Sequence, residues 1–184
     1  DPYCLAVKGH SLLYKDPERG LHYLDLAASK FDLPEAQFYL GDYYMNPSFG
    51  KPEYKTALKW LLKAASKNDL RSLHQLGYCY LNGLGVAIDK AKAVELFQTV
   101  KTLGYAYIEK YPHNARAYEP LMQSLSLLGE KQKAIEVGRL GFKNFPNKFA
   151  IVSSYTELLS LAGETQEAFD IALEFFNNSK NPSI

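Results

Sequence analysis

The chain has 184 residues, with 21 basic against 20 acidic side chains for a formal net charge of +1, 47% hydrophobic residues and 22% charged. That balance belongs to a globular chain, and the interspersed charges exclude polybasic tails and the basic surface that nucleic acid requires. No run approaches the roughly 18 to 20 apolar residues that cross a bilayer, and two cysteines, Cys4 and Cys79, cannot make a disulfide framework, so stability must come from burial.

The predicted elements are helices in pairs. In the first pair, around Cys4, Gly9 and Leu13, the register of the opening helix is ambiguous; the second helix opens at Asp16-Pro17, with proline suited to a first helical position. Its Leu21, Leu24 and Ala27-Ala28-Ser29-Lys30 return 37 residues later as Leu58, Leu61 and Ala64-Ala65-Ser66-Lys67. Leu40-Gly41, Tyr44, Asn46 and Ala57 of the second pair return 36 residues later as Leu76-Gly77, Tyr80, Asn82 and Ala93. Asp16, Glu53 and Asp89 each stand four positions before Gly20, Ala57 and Ala93, where a carboxylate caps free N–H groups and suits the positive end of the helix dipole.

From about residue 107 the period becomes 34: Leu125, Gly129-Glu130, Gln132 and Ala134 recur as Leu159, Gly163-Glu164, Gln166 and Ala168, and Tyr111-Pro112 as Phe145-Pro146. Pro120 falls inside an expected first helix, where its missing donor predicts a kink or a delayed start. Apolar residues recur at steps of three and four, as in Leu58, Leu61, Leu62 and Ala65, and none alternates with period two over a useful length. The expected fold is all-α, five helical hairpins stacked as a solenoid, since one hairpin cannot bury its apolar face alone. Gly41, Gly77, Ala64 and Ala65 are expected where helices approach, Gly83 and Gly85 in a turn, and Trp60 and Tyr44 in the core.

Leu76-Gly77-x-x-Tyr80-x-x-Gly83-x-Gly85-Val86-x-x-Asp89-x-x-Lys92-Ala93 resembles a complete Sel1-like repeat. Residues 36–71 are similar, except that Pro47, Ser48, Phe49 and Gly50 replace Gly-x-Gly-Val, and 1–35 resemble a partial unit. Residues 113–146 and 147–180 resemble tetratricopeptide repeats, through Leu121, Ala134 and Pro146 and through Tyr155 and Ala168, with Gly138 and Gly141 where that family has alanines. The expected domains are therefore 1–107 (Sel1-like: 1–35, 36–71 and 72–107) and 108–184 (tetratricopeptide-like). The resemblance implies a right-handed α/α superhelix that holds other proteins, in bacteria often in the envelope, secretion or surface assembly, and in eukaryotes in quality-control complexes.

The expected function is a non-enzymatic scaffold or adaptor that grips a partner protein or peptide segment in a concave groove. By the tetratricopeptide register the groove is lined by Phe38, Asp42 and Met45; His74, Tyr78 and Leu81; Arg116, Glu119 and Gln123; and Ser153 and Glu157. Exposed groove tyrosines, in a chain with fourteen of them, leave an envelope carbohydrate-binding protein as the alternative. In the last helix Phe169, Leu173 and Phe176 are expected to pack back on Tyr155 and Leu158; otherwise they form an interface for another chain or a second copy. His10, His22, His74 and His113 show no H-x-x-x-H pair and no Cys-x-x-Cys, so no metal is expected and the histidines are read as solvated or groove-lining. Cys4 and Cys79 are expected as small packed thiols. Asn82-Gly83-Leu84-Gly85 lacks a following Gly-Lys-Ser/Thr and lies between helices, so it is a turn and not a phosphate cradle. No catalytic constellation and no cofactor are expected. A start at Asp1 without methionine leads us to expect a piece of a longer product, with an exported or periplasmic location slightly favoured over a cytoplasmic one.

Overall fold

The computed structural model describes residues 1–180. Among them are ten α-helices and no strand: α1 Pro2–Leu12, α2 Pro17–Asp25, α3 Pro34–Met45, α4 Tyr54–Ala65, α5 Leu70–Asn82, α6 Lys90–Lys110, α7 Tyr118–Leu127, α8 Lys131–Asn144, α9 Phe149–Ala162 and α10 Thr165–Lys180. Neighbours in chain order pack as hairpins, α1 on α2, α3 on α4, α7 on α8 and α9 on α10, the helix pairs of an α/α solenoid, as expected from the repeats. Two compact units divide the chain, Asp1–Leu96 and Phe97–Ile184, with the boundary inside α6.

In the first unit the acids that open helices act as the sequence predicts. Asp16 accepts from the Arg19 N–H at 3.2 Å and Asp89 from the Lys92 N–H at 2.9 Å, while Asp1 and Asp69 do the same for α1 and α5. Glu53 makes no side-chain cap, but its carbonyl accepts from Ala57 as those of Asp16 and Asp89 accept from Gly20 and Ala93. The loop that departs from the Sel1-like pattern forms a short 3₁₀ turn, Pro47–Phe49, and closes as its counterpart does: Glu53 N–H donates to Tyr44 O at 2.8 Å, Asp89 N–H to Tyr80 O at 2.9 Å.

Between hairpins, α2 runs into a π-helical turn, Leu26–Lys30, and the chain reverses at Asp32, whose left-handed φ of 52° matches the 62° of Asn68 one repeat later. Lys67 ties the two turns together through the carboxylate and carbonyl of Asp32. Behind them lies a core of Ala6, Leu13, Leu24, Ala27, Ala28, Ala36 and Leu40, with Tyr44 and Trp60 half-buried against it, and a second cluster of Leu58, Leu61, Leu76 and Cys79. Gly41 is small for a steric reason: a Cβ there would lie 2.6 Å from Leu61 Cδ2. The expectation of two packed thiols holds for Cys79 only, since Cys4 at the start of α1 is exposed.

Gly85 and Gly129 separate backbone strain from crowding. Both have positive φ, 75° and 80°, but a Cβ at Gly85 would stand 2.7 Å from Tyr54 Cβ, whereas Gly129 has nothing within 4 Å. Gly129→Ala is expected to cost about 1 kcal/mol from the left-handed backbone alone, and Gly85→Ala a further 1 to 3 kcal/mol, approximately, from overpacking. Urea unfolding of both variants checks this; equal losses would remove the crowding contribution.

In the second unit Pro120 delays its helix and does not kink it. A 3₁₀ turn, Ala115–Ala117, capped by the Asn114 side chain on the Arg116 N–H, precedes α7, and Pro120 occupies its first turn, where no intrahelical donor is needed. The two following hairpins close identically, Glu130 N–H to Leu125 O and Glu164 N–H to Leu159 O, both at 2.9 Å. Glu130 also gathers Lys101 and Lys133 at 2.6 and 2.7 Å. The interior is Phe97, Val100, Tyr118, Leu121, Met122, Leu125, Ile135, Ile151, Tyr155 and Leu159.

The last helix corrects one expectation. Ala168 and Ile171 are buried and Phe175 lies 6.1 Å from Phe149, so that stripe faces α9. Phe169, Leu173 and Phe176 fall on the other side and are 62%, 46% and 53% exposed, so the stripe expected to pack inward on Tyr155 and Leu158 lies largely open.

Candidate functional site

The first helices of successive hairpins, α1, α3 and α5, lie side by side in the first unit. Gly9, Gly41 and Gly77 mark equivalent positions on them, and the residue after each, His10, Asp42 and Tyr78, forms a row across the face. His10 stacks on Tyr39 with ring centroids 4.1 Å apart and planes at 19°, and the Tyr39 hydroxyl donates to Glu35 Oε1 at 3.4 Å. The Arg71 guanidinium from α5 lies 4.1 Å over the Phe38 ring and 5.5 Å from that of Tyr39, and bonds Asp69 at 3.0 Å. The rings of α3 thus meet an imidazole from α1 and a guanidinium from α5, and the ring quadrupole favours the charge of Arg71.

Desolvation shapes the charges of this face. It pushes the Asp42 carboxyl above its usual range, against the pull of His10 and Arg71. It pushes His10 down, opposed by Asp42 and reinforced by Arg71. For Arg71 burial disfavours the charge, but the bonded Asp69 carboxylate more than offsets this and holds the guanidinium above its ordinary value. Burial lowers His74 to about 4 and raises Cys79 to about 11.

Of the predicted groove residues in this unit, Tyr78 is exposed and Asp42 and Leu81 half-buried. Phe38 and Met45 pack on the second core cluster, with Met45 Sδ 3.9 Å from Cys79 Sγ. His74 is only 9% exposed, so it belongs to the packing beneath the face and is not a solvated ring. In the second unit Gln123 donates to Ser154 Oγ at 3.3 Å, joining α7 to α9. Glu119 is half-buried; Arg116, in the 3₁₀ turn, and Ser153 and Glu157, on α9, are exposed.

Sequence reasoning missed Glu35, Tyr39 and Arg71, and read His10 only as one of four solvated or groove-lining histidines. The available signal was the small-residue pairing: Gly9 and Gly20 are eleven residues apart, whereas Gly41–Ala57 and Gly77–Ala93 are sixteen apart. The first hairpin has the same crossing with a loop five residues shorter, which fixes the register of α1. A separate open pocket of about 450 Å³ beside the 3₁₀ turn is lined by Leu21, Tyr43, Tyr44, Asn46, Phe49 and Glu53. Among the described residues no group of His, Cys, Asp and Glu is placed to hold a metal, and no helix is long and apolar enough to cross a membrane.

Residues 5–30, 34–69 and 70–100, just over half of the chain, match the model of the Sel1 repeat. A curated relative, Protein SHC1 of Saccharomyces cerevisiae, is 35% identical over 69 residues, 38% of this chain but 14% of the yeast protein, so the likeness takes in only a small part of that protein's length. Among solved structures, a Sel1 repeat protein from Oxalobacter formigenes superposes with a TM-score of 0.51 at 22% identity, covering 95% of this chain and 88% of that one. MamA 41-end from Desulfovibrio magneticus RS-1 gives 0.50 at 16% identity, covering 100% and 97%. These two likenesses concern the fold. With its repeats matched in succession over just over half of its length, the chain belongs to the Sel1 repeat family.

Proposed function

We propose that the chain is an adaptor whose first-helix face in the first unit, α1, α3 and α5, binds a segment of a partner protein. The observation that carries this reading is the row His10, Asp42 and Tyr78 beside the Tyr39, Phe38 and Arg71 stack, which offers ring area and a half-buried acid. A glycan site would be favoured by paired open tyrosine rings. Here Tyr39 is stacked under His10, and of the residues named on this face Tyr78 alone is an exposed tyrosine, while Phe38, Met45 and Leu81 supply apolar surface. That composition supports a peptide.

Placing the photo-cross-linker benzoylphenylalanine at Tyr78, and at the exposed Lys59 of α4 as a comparison, tests the reading in the cells that make the protein. Cross-linking to a discrete protein from position 78 and not from position 59 is the expected result. Labelling that is equal at both, or absent at 78, would overturn it.

A further inference from the structure

The face proposed to bind a partner has an electrostatic imbalance at one point, and the inference drawn from it rests on that reading. Glu35, Asp42 and Asp69 stand against a single guanidinium, Arg71, with His10 in contact with Tyr39 and His74 packed beneath. Arg71 is engaged by Asp69 at 3.0 Å and by the Phe38 ring at 4.1 Å. Glu35 accepts from Tyr39. Asp42 is half-buried, and among the described residues its carboxylate accepts no hydrogen bond. A half-buried carboxylate without a protein donor keeps its lone pairs on water, and a cation that brings donors replaces that water with charge-assisted hydrogen bonds. The equivalent positions on the neighbouring helices, His10 and Tyr78, flank it without adding a fixed positive charge. Tyr78 is 42% exposed, so its ring can receive the stem or planar head of a long basic side chain, as Phe38 already receives Arg71 on the same face.

We propose that the partner segment is basic and that one of its arginine or lysine side chains seats on Asp42, between His10 and Tyr78. The apolar part of the segment then lies along Phe38, Met45 and Leu81, and selectivity comes from the charge that the face lacks. Arginine is the better fit, because its planar guanidinium combines carboxylate bonding with stacking.

Selection of a random twelve-residue peptide library on the full chain, with binders measured by fluorescence polarisation, tests this. Binders are expected to share one arginine or lysine at a fixed place among apolar residues. Replacing that residue by alanine should weaken binding by about 10-fold or more, as for a charged hydrogen-bonded pair. Asp42→Asn should cause a similar loss and leave less than about a 2-fold effect of the peptide substitution, the signature of two groups acting on each other. The fold should tolerate Asp42→Asn, since the change removes a desolvated charge, and an unchanged circular dichroism melt checks that. Binders that lose affinity with Tyr78→Ala but carry no required basic residue, or are indifferent to Asp42→Asn, would overturn the cation site and leave the peptide-binding face intact. Binders indifferent to both substitutions, or no binders at all, would overturn both readings.

Discussion

Gly138→Ala is expected to lower the melting temperature of the chain by several degrees, although alanine is the better helix former and the residue expected there from the tetratricopeptide resemblance. In mid-α8 a Cβ at this position would lie 2.4 Å from Tyr155 Cδ2 and 3.0 Å from Met122 Sδ. Neither neighbour can yield cheaply. Met122 is fully buried, and Tyr155 is 1% exposed with its hydroxyl donating to Glu167 at 3.0 Å. Burial, helped by the Glu167 bond, raises the Tyr155 hydroxyl to about 12, so it stays a neutral donor at ordinary pH. Overpacking of this kind costs about 1 to 3 kcal/mol, and the gain in helix propensity returns about 1 kcal/mol at most. At about 2 to 4 °C per kcal/mol for a chain of this size, the net loss is measurable by circular dichroism. Trimming the ring identifies the cause: Tyr155→Leu should make Gly138→Ala nearly neutral in a double-mutant cycle. A Gly138→Ala protein as stable as the parent would show that the ring has room to move.

That clash also explains why the sequence could be read as far as it was. The hairpins were legible because their signals are local: Asp16 and Asp89 cap the helices they precede, Gly83 and Gly85 occupy left-handed turns, and the 34-residue echo of Glu130 in Glu164 marks the same closure twice. Gly138 and Gly141 were visible as departures from a pattern, but their reason, the rings of Tyr155 and Tyr118, lies on other helices. The inner face was half legible. Counting from Leu40-Gly41 and Leu76-Gly77 placed Asp42 and Tyr78, yet a register count cannot tell that His74 sinks into the packing, or that Arg71 turns back over Phe38. The register of His10 on that face stayed hidden because the five-residue difference in loop length broke the period across the first hairpin. In α10 the stripe of Ala168, Ile171 and Phe175 competed with that of Phe169, Leu173 and Phe176, and the small Ala168 packs against α9 with the first set. Composition alone gave the larger set equal claim.

Lowering the pH from 7 to 4.5 is expected to destabilise the first unit by about 2 to 3 kcal/mol more in the parent than in His74→Gln. Burial holds the His74 imidazole at about 4 in the folded chain, against an ordinary value of 6.5. Above pH 6.5 both folded and unfolded chains carry it neutral, and the group contributes no pH dependence. Below pH 6.5 the unfolded chain takes up a proton that the folded chain refuses, so stability falls continuously until about pH 4, where the folded imidazole charges as well. Each pH unit in that window is worth about 1.4 kcal/mol, which gives the stated difference. His10, lowered by desolvation, acts in the same direction, whereas Asp42, raised by desolvation, binds its proton more readily when folded and opposes the loss. Both are present in the two proteins compared, so the difference in slope isolates His74 even where Gln changes the absolute stability. Trp60, the only tryptophan, packs against the core of this unit, and its fluorescence in urea titrations at several pH values reports the transition. Parallel slopes for parent and variant would mean that the ring is hydrated and titrates near its ordinary value, and His74 would then return to the exposed face from which the packing removes it.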